Sequence, residues 1–514
     1  MLPVTNRTRG GFAYIANVIN VSLLLTASGI AAHAAPPPDT APQLEKTAIS
    51  SAPANNKYDG HIPPPGLGDG ESVVFPANSR WPIIYRDRNG ELGLTLPMSE
   101  GIWGTGDWFG LRHSLEDSGV DITGGYTNNM LGNVVGGKKQ GFTYADQIWL
   151  RADFNMEKLI GWKGAHLGVS VIDRNGQKMA SLYTGNFFNP NQIWGSESFE
   201  LYNIYLDQSL FNGWVDIKLG RMAVTDDFAH SALYGLLVNN GIDGQPNAIC
   251  SSGYMTAWPA STWGGRIRID DKKDHLYGMF GLYQITSRQY NPNYHGVDFG
   301  IRPYDGLGMI AEVGWTPEFQ PHPRPVDTPK VSDVPPSDGD DGWHGMAGHY
   351  KFGAYYVYWP DIPTFNGQKA PGTYGFYWTF DQMVYQAKPG SDCGLTLWGA
   401  CILAPDQRTA VLPFSFYGGA IYTGLIPGRS KDKTTVGVIY GAFSDVYAHS
   451  EKVPTLPEGD RGVPTYELVL EACYTIQLSK FWNVQPDVQY IINPGGTGRI
   501  PNALVIGAQV NFSF

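Results

Sequence analysis

The sequence predicts an all-β fold: a closed antiparallel transmembrane β-barrel of about 16 strands, with a short N-terminal amphipathic helix. Three observations predict it. Apolar and polar residues alternate with a period of two from Val120 onwards, in segments separated by turn residues. The connections between these segments mostly alternate long and short. The last segment places Leu504, Ile506, Ala508, Val510, Phe512 and Phe514 on one face. Ala503, Val505, Gly507, Gln509, Asn511 and Ser513 fall on the other, and the segment stops on an aromatic. A soluble sandwich alternates too. An apolar strand at a terminus must be tied down, however, and closing a barrel does so by pairing the last strand with the first.

Composition agrees. Only 16% of the 514 residues are charged, and 64 Gly, 15 Trp and 29 Tyr are high for a soluble enzyme. Glycine within strands and aromatic girdles suit a barrel wall. The formal net charge of −11 argues against nucleic acid as a partner. No segment approaches the uninterrupted apolar length of a transmembrane helix.

In chain order, Arg7 and Arg9 precede an apolar run that ends at Ala32–His33–Ala34, so residues 1–34 read as a signal peptide cut after Ala34. The expected location is the bacterial outer membrane. Residues 35–100 read as a Pro-rich periplasmic linker, and residues 101–514 as the barrel. Gly66–Leu67–Gly68–Asp69–Gly70 lacks the strand and helix that a phosphate loop needs. Over 105–119, Trp108, Leu111 and Leu115 share a helical face and Gly119 is a C-cap, predicting the helix.

Alternation then marks strands near 120–130, 145–155, 165–174, 200–209, 213–221, 261–270, 276–285 and 306–316. Eight more follow near 349–360, 374–386, 393–403, 411–424, 433–443, 464–478, 481–493 and 502–514. The connections 131–144, 175–199, 222–260 and 286–305 are long. Lys158–Lys163, Gln208–Gly213, Asp271–Asp274 and Leu478–Lys480 are short. Cys393 and Cys401 lie on one predicted strand, separated by roughly 26 Å, so no disulfide framework is expected.

The segments Gly106–Asp107–Trp108–Phe109–Gly110–Leu111–Arg112 and Leu131–Gly132–Asn133–Val134–Val135–Gly136–Gly137 are followed by Lys218–Leu219–Gly220–Arg221, Trp263–Gly264–Gly265–Arg266, Gly424–Arg429 and Gln485–Gly496. The first two resemble the opening of the carbohydrate-selective porin (OprB-type) family, and the other four follow in family order. The resemblance covers about residues 100–514. It implies a sixteen-stranded outer-membrane barrel that passes sugars, and it allows a homotrimer. Phe109 departs from the pattern, standing where the family usually has Gly. The insert Pro321–Asp341 also departs; its Asp338, Asp340 and Asp341 lack the remaining ligands of a calcium loop.

If the apolar set faces lipid, the alternate residues point into the lumen. These are Arg151 and Asp153, Arg266 and Arg268, Glu312, Glu467 and Glu471, Gln477, Asp487 and Gln489. A charge facing lipid near the midplane would cost about 2–4 kcal/mol for Arg. Trp149 and Trp398 are expected inward as well, where they could stack on sugar faces. The expected function is passive diffusion of mono- and small oligosaccharides past these charges and aromatics, with no cofactor, metal or catalytic residue. The alternative is a general or ion-preferring porin of the same architecture. A hydrolase is the second alternative, but no Gly-x-Ser-x-Gly turn, His-Glu-x-x-His helix or zinc-type Cys spacing supports it.

Overall fold

A computed structural model describes residues 104–194, 197–271, 275–319, 345–456 and 459–514. The expected signal peptide and linker, the 321–341 insert and most of the Asp271–Asp274 turn lie outside the described residues.

The strands are β1 (Val120–Val135), β2 (Gly141–Asn155), β3 (Ala165–Gly176), β4 (Ser198–Leu210), β5 (Val215–Met222), β6 (Thr262–Asp271), β7 (Leu276–Ile285) and β8 (Gly306–Trp315). A two-residue β9 (Glu318–Phe319) follows. Next come β10 (Met346–Pro363), β11 (Lys369–Gln386), β12 (Gly394–Leu403), β13 (Phe414–Thr423) and β14 (Lys433–Ala442). The wall ends with β15 (Tyr466–Ser479), β16 (Trp482–Ile492) and β17 (Ala503–Ser513). Sixteen of these form the wall among the described residues, each antiparallel to both neighbours. β10 pairs with β8, and β9 caps the end of β10. The ring closes where β1 pairs with β17, from Gly125↔Ser513 to Val135↔Leu504. Phe514 adds two backbone hydrogen bonds to Gly124, at 2.8 and 2.9 Å.

The period of two decides which face each residue takes. Along β15, Glu467, Val469, Glu471, Cys473 and Thr475 are buried, while Tyr466, Leu470 and Leu478 are exposed. The outer face carries rows of aromatics near both ends. Tyr350 lies opposite Trp315 and Phe380 in register and stacks on both rings. Near the other rim Tyr440 stacks on Tyr466 with centroids 5.8 Å apart. An apolar outer band between aromatic girdles is the surface that a lipid-facing barrel presents. No described helix is long and apolar enough to cross a membrane; the crossing elements are strands.

Two expectations are corrected. Residues 131–144 are not a long loop: β1 runs to Val135 and β2 begins at Gly141, with Asn133 opposite Gly141. The Gly- and Asn-rich composition there reads as turn, yet cross-strand pairing carries the hairpin further. The second correction concerns the helix, which is shorter than 105–119. A 3-10 turn over Trp108–Gly110 leads into α1 (Leu111–Ser118). Its buried residues are Arg112 and Glu116, whereas Leu111 is exposed. The Arg112 guanidinium lies 4.2 Å over the Trp108 ring, and Lys158 Nζ donates to the Glu116 carbonyl at 3.1 Å. The helix therefore meets the barrel rim through polar groups, because a rim offers backbone and charges rather than an apolar core. Phe109 has φ 61° and is 93% exposed, a left-handed backbone in which glycine would be unstrained.

Glycine has a local cause in Lys218–Leu219–Gly220–Arg221. Gly220 has φ +151°, and a Cβ there would sit 2.3 Å from the Ile204 carbonyl oxygen. The close approach of β4 to β5 needs the missing side chain. Gly220→Ala is expected to lower the temperature at which the folded barrel loses its fast mobility on SDS gels, or to block assembly. Unchanged mobility would contradict this account of the motif.

Candidate functional site

The lumen is narrowed by residues 223–261, which leave the long-loop rim between β5 and β6 and turn inward. Phe228, Tyr234, Leu236, Leu237, Val238, Ile242, Ile249 and Met255 of this segment are all buried. They pack with wall residues including Trp398, Tyr417 and Ile439. A solvated loop would not carry the run Leu233–Val238. That run was the available signal that the segment folds inward, and alternation alone missed it.

Inward polar side chains anchor the segment. The Glu471 carboxylate accepts from the backbone N–H of Val238 at 2.5 Å and of Asn239 at 3.2 Å. Gln485 Nε2 donates to the Leu236 carbonyl at 3.1 Å. Glu312 accepts from Ala229 N at 2.9 Å and from the hydroxyls of Tyr277 and Tyr377 at 2.7 and 2.8 Å. Lys351 Nζ donates to the His230 carbonyl. Trp258 Nε1 donates to Gln147 at 3.1 Å. A second inward segment, between β3 and β4, is held the same way. Glu467 accepts from the backbone N–H of Phe187, Phe188 and Gly495 at 2.7–2.8 Å, and Gln489 Nε2 donates to the Pro190 carbonyl at 3.1 Å.

The expected site residues thus fall into two sets. Glu312, Glu467, Glu471 and Asp487 are buried, and the first three hold backbone N–H groups of the infolded segments. Asp487 accepts from Cys473 Sγ at 3.0 Å and from Gln489 Nε2 at 2.8 Å. Trp398, 2% exposed, lies 5.5 Å from the Tyr234 ring. Trp149 packs beside Trp258, Ile172 and Tyr202. Glu471, Cys473 and Asp487 bring one ligand atom each within 4.8 Å of one another, the sole such grouping among the described residues. Their atoms already engage Val238, Asn239 and Gln489. All four Cys are free.

The other set forms a band of alternating charge across β2–β6. Arg151 pairs with Asp153 and donates to the Tyr205 hydroxyl at 2.9 Å. Lys218 Nζ meets Asp227 at 3.2 Å. Arg266 pairs with Asp216, with Asp227 at 3.2 Å and with Asp207 at 3.5 Å. Arg268 pairs with Asp270 at 2.7 Å and lies 3.8 Å over the Tyr277 ring. Asp207, Asp216, Lys218, Asp227 and Asp270 were absent from the expected set, although Asp270 lies on the same strand as Arg266 and Arg268. Cross-strand register, not visible in a single strand, brings Asp216 and Lys218 of β5 opposite Arg268 and Arg266. Side chains of Asp207 and Asp270 remain 26% and 20% exposed, whereas Lys218, Arg266 and Arg268 are buried, so the band offers chiefly carboxylate acceptors to the water-filled space. Such a wall can exchange hydrogen bonds with a hydroxylated solute as its hydration shell is stripped.

The β7–β8 loop, residues 286–305, closes over the long-loop rim. Arg288 Nε donates to Asp298 at 2.6 Å, and its Nη1 donates to Asp305 at 2.9 Å. The hydrogen bond from Arg288 holds the Asp298 carboxyl below the usual carboxylate range. A depressed carboxyl stabilises its loop above its unfolded pKa of about 3.9 and loses that contribution as the pH falls.

A closed, even-numbered barrel with an apolar, aromatic-girdled exterior, a charged interior and inward-folded loops is an outer-membrane channel of the porin class. Residues 139–514 match the carbohydrate-selective porin, OprB family, and the chain belongs to that family. It is 25% identical to Porin B of Pseudomonas aeruginosa over 448 residues, covering 80% of this chain and 91% of that one. Its fold matches a high-pH structure of Pseudomonas putida OprB with a TM-score of 0.69 at 23% identity, covering 82% of this chain and 100% of the other. A low-pH structure of the same protein matches with a TM-score of 0.51 at 21% identity, over 81% of this chain. The protein is accordingly a carbohydrate porin of the outer membrane.

Glu471→Ala would leave two buried N–H donors unsatisfied, at about 1–3 kcal/mol each. The expected result is a folded barrel with a loosened 223–261 segment and a larger, noisier single-channel conductance. Glu471→Gln keeps an acceptor oxygen and is expected to stay close to the parent. Equal conductance in all three proteins would remove the anchoring role of Glu471.

Proposed function

We propose that sugars diffuse passively through this barrel along the charge band of β2–β6, which the infolded segment meets at Asp227. Mono- and small oligosaccharides are the expected solutes. In this reading Arg151, Asp153, Arg266 and Arg268, with Asp207, Asp216 and Asp270, form the hydrophilic face of the constriction. Glu312, Glu467, Glu471 and Asp487 set its width by holding the segments that narrow it. The observation that carries the reading is the pairing of opposite signs. Each exposed Asp lies beside an Arg, so the face supplies hydrogen bonds without a single-sign field. A neutral polyol fits such a face better than an ion does, and weak multi-site binding allows fast exit. Trp149 supplies the apolar surface on which a sugar ring could stack. The family resemblance supports assembly as a homotrimer, which chemical cross-linking in native outer membranes tests through a band at three protomers.

Planar-bilayer recording of the mature protein tests the route. Glucose and disaccharides at millimolar concentration are expected to reduce the single-channel current, and malonate is not. Arg266→Ala leaves Asp207, Asp216 and Asp227 with Lys218 as their nearest counter-charge. Cation preference is then expected to rise by about twofold or more, and sugar block to weaken. Open conductance with no response to sugar would instead favour a general or ion-preferring porin. No conductance from folded protein would overturn the channel reading.

A further inference from the structure

We propose that residues 297–301 of the β7–β8 loop form an outward patch that packs against the acyl chains of the outer leaflet and completes the lipid-facing wall above β5. This gives the barrel a further partner surface and leaves the transport route unchanged. The wall has a notch at this place. β4 begins at Ser198, yet its ladder with β5 reaches only to Ile204↔Arg221, because β5 ends at Met222 and residues 223–261 turn inward. β5 therefore leaves the edge of β4 above Ile204 without a partner strand, and an open edge is not viable against lipid. The β7–β8 loop fills the notch. The Leu201 N–H donates to the His295 carbonyl at 3.0 Å, and His295 Nδ1 donates to the Phe199 carbonyl at 2.9 Å. Gly296 has φ +69°, and a Cβ there would sit 2.0 Å from the Leu201 carbonyl oxygen, so the loop lies flush against β4.

Two features separate this segment from a solvated loop. Its exposure alternates as a wall strand's does. Val297, Phe299 and Ile301 are 53%, 45% and 73% exposed, while Asp298 and Gly300 are half-buried. The row starts two residues after the His295–Phe199 contact and passes Trp263, whose ring lies 6.0 Å from the Phe299 ring. Phe199, Leu219 and Ile267 are exposed apolar residues on β4, β5 and β6, so the row continues an apolar outer face. The second feature is the backbone. The carbonyls of Asp298, Phe299 and Gly300 accept from Arg221 Nη1, Trp263 Nε1 and Gln284 Nε2 at 2.5, 2.9 and 3.0 Å. Water serves such carbonyls on a solvated loop, whereas irregular backbone at membrane depth needs protein groups in that role. Depth agrees. From Leu210 to Leu201, β4 covers roughly 30 Å of strand, or about 23 Å of height at a tilt of about 40°, against an apolar band about 25 Å tall. Phe211 and Trp214, exposed at the short-turn end, mark the lower boundary, which puts the His295 contact at the upper one. Trp263 stands at that level, where indole rings anchor to the membrane interface. Three side chains in a row fall well short of the roughly 800 Å² that each partner of a stable protein interface buries, which favours lipid over a second copy of the chain.

Photolabelling of the full barrel in phosphatidylcholine vesicles, with a diazirine near the carbonyl end of one acyl chain, tests this. Adducts mapped by mass spectrometry are expected on Leu219 and Ile267 of the wall and on Phe299 and Ile301 of the loop, but not on Asn291 or Asn293. Val297→Asp combined with Ile301→Asp is expected to lower the Phe299 adducts by about tenfold and to leave the wall adducts unchanged. Val297→Leu with Ile301→Leu is expected to keep the parental pattern. Wall adducts without loop adducts, or Phe299 adducts undiminished by the two Asp substitutions, would overturn the proposal. A second measurement separates the occupants. Ile301→p-benzoylphenylalanine, irradiated in native outer membranes, is expected to cross-link to outer-leaflet glycolipid. A band at two protomers with no glycolipid adduct would assign the row to a second copy and overturn the lipid. Vesicle-bound protein whose wall also takes no label would overturn the lipid-facing reading of the barrel itself, and the patch with it.

Discussion

The structure depends on the pairing of β1 with β17. Within a hydrocarbon layer every backbone N–H and C=O must find its partner inside the wall, because no water is there to receive it. The ladder from Gly125↔Ser513 to Val135↔Leu504 converts an open sheet of sixteen long strands into a ring without edges. Closure also creates an interior. Once the ring exists, each residue on the buried face of a strand looks towards other strands across a confined space, and its chemistry is judged by what fills that space.

What fills it is partly the chain itself. The segment 223–261 brings both apolar side chains and unpaired backbone donors into the barrel. The apolar groups find Trp398, Tyr417 and Ile439, and the donors find Glu312 and Glu471. Each side solves a problem for the other. A carboxylate buried on the wall requires donors, and an irregular segment away from water requires acceptors. The same reciprocity joins Glu467 to Phe187 and Phe188. Acidic residues that look like pore lining in sequence therefore act as fasteners of the constriction. On β4–β6 the partly exposed groups are Asp207, Asp216 and Asp270, whose Arg partners are buried.

This division explains how one barrel can be both narrow and hydrophilic. Backbone segments set the width, and Asp227 ties the infolded segment into the paired charges of β5 and β6. Arg266 shows the economy of the arrangement: one guanidinium fork serves Asp207, Asp216 and Asp227 on three different elements. Arg221, two strand positions nearer the rim than Leu219 and outside that network, donates to the Asp298 and Ser261 carbonyls and lies over the Phe299 ring.

The alternation of side chains, the number of strands and the inward direction of Arg151, Asp153, Arg266, Glu312, Glu471 and Trp398 were legible in the sequence by itself. The reason is physical: a strand has a strict period of two, and lipid excludes charge strongly enough to choose the face. The apolar stripe expected on the N-terminal helix was misleading, because the helix packs on a polar rim through Arg112 and Glu116. The 131–144 hairpin was misread because Gly and Asn signal turns locally, while cross-strand pairing decides where strands stop. Tertiary structure alone decided which inward residues fasten segments and which face the passage. That distinction depends on where residues 187–188 and 223–261 come to rest, 83 to 280 positions from the carboxylates that receive them, and no periodicity encodes contacts of that range.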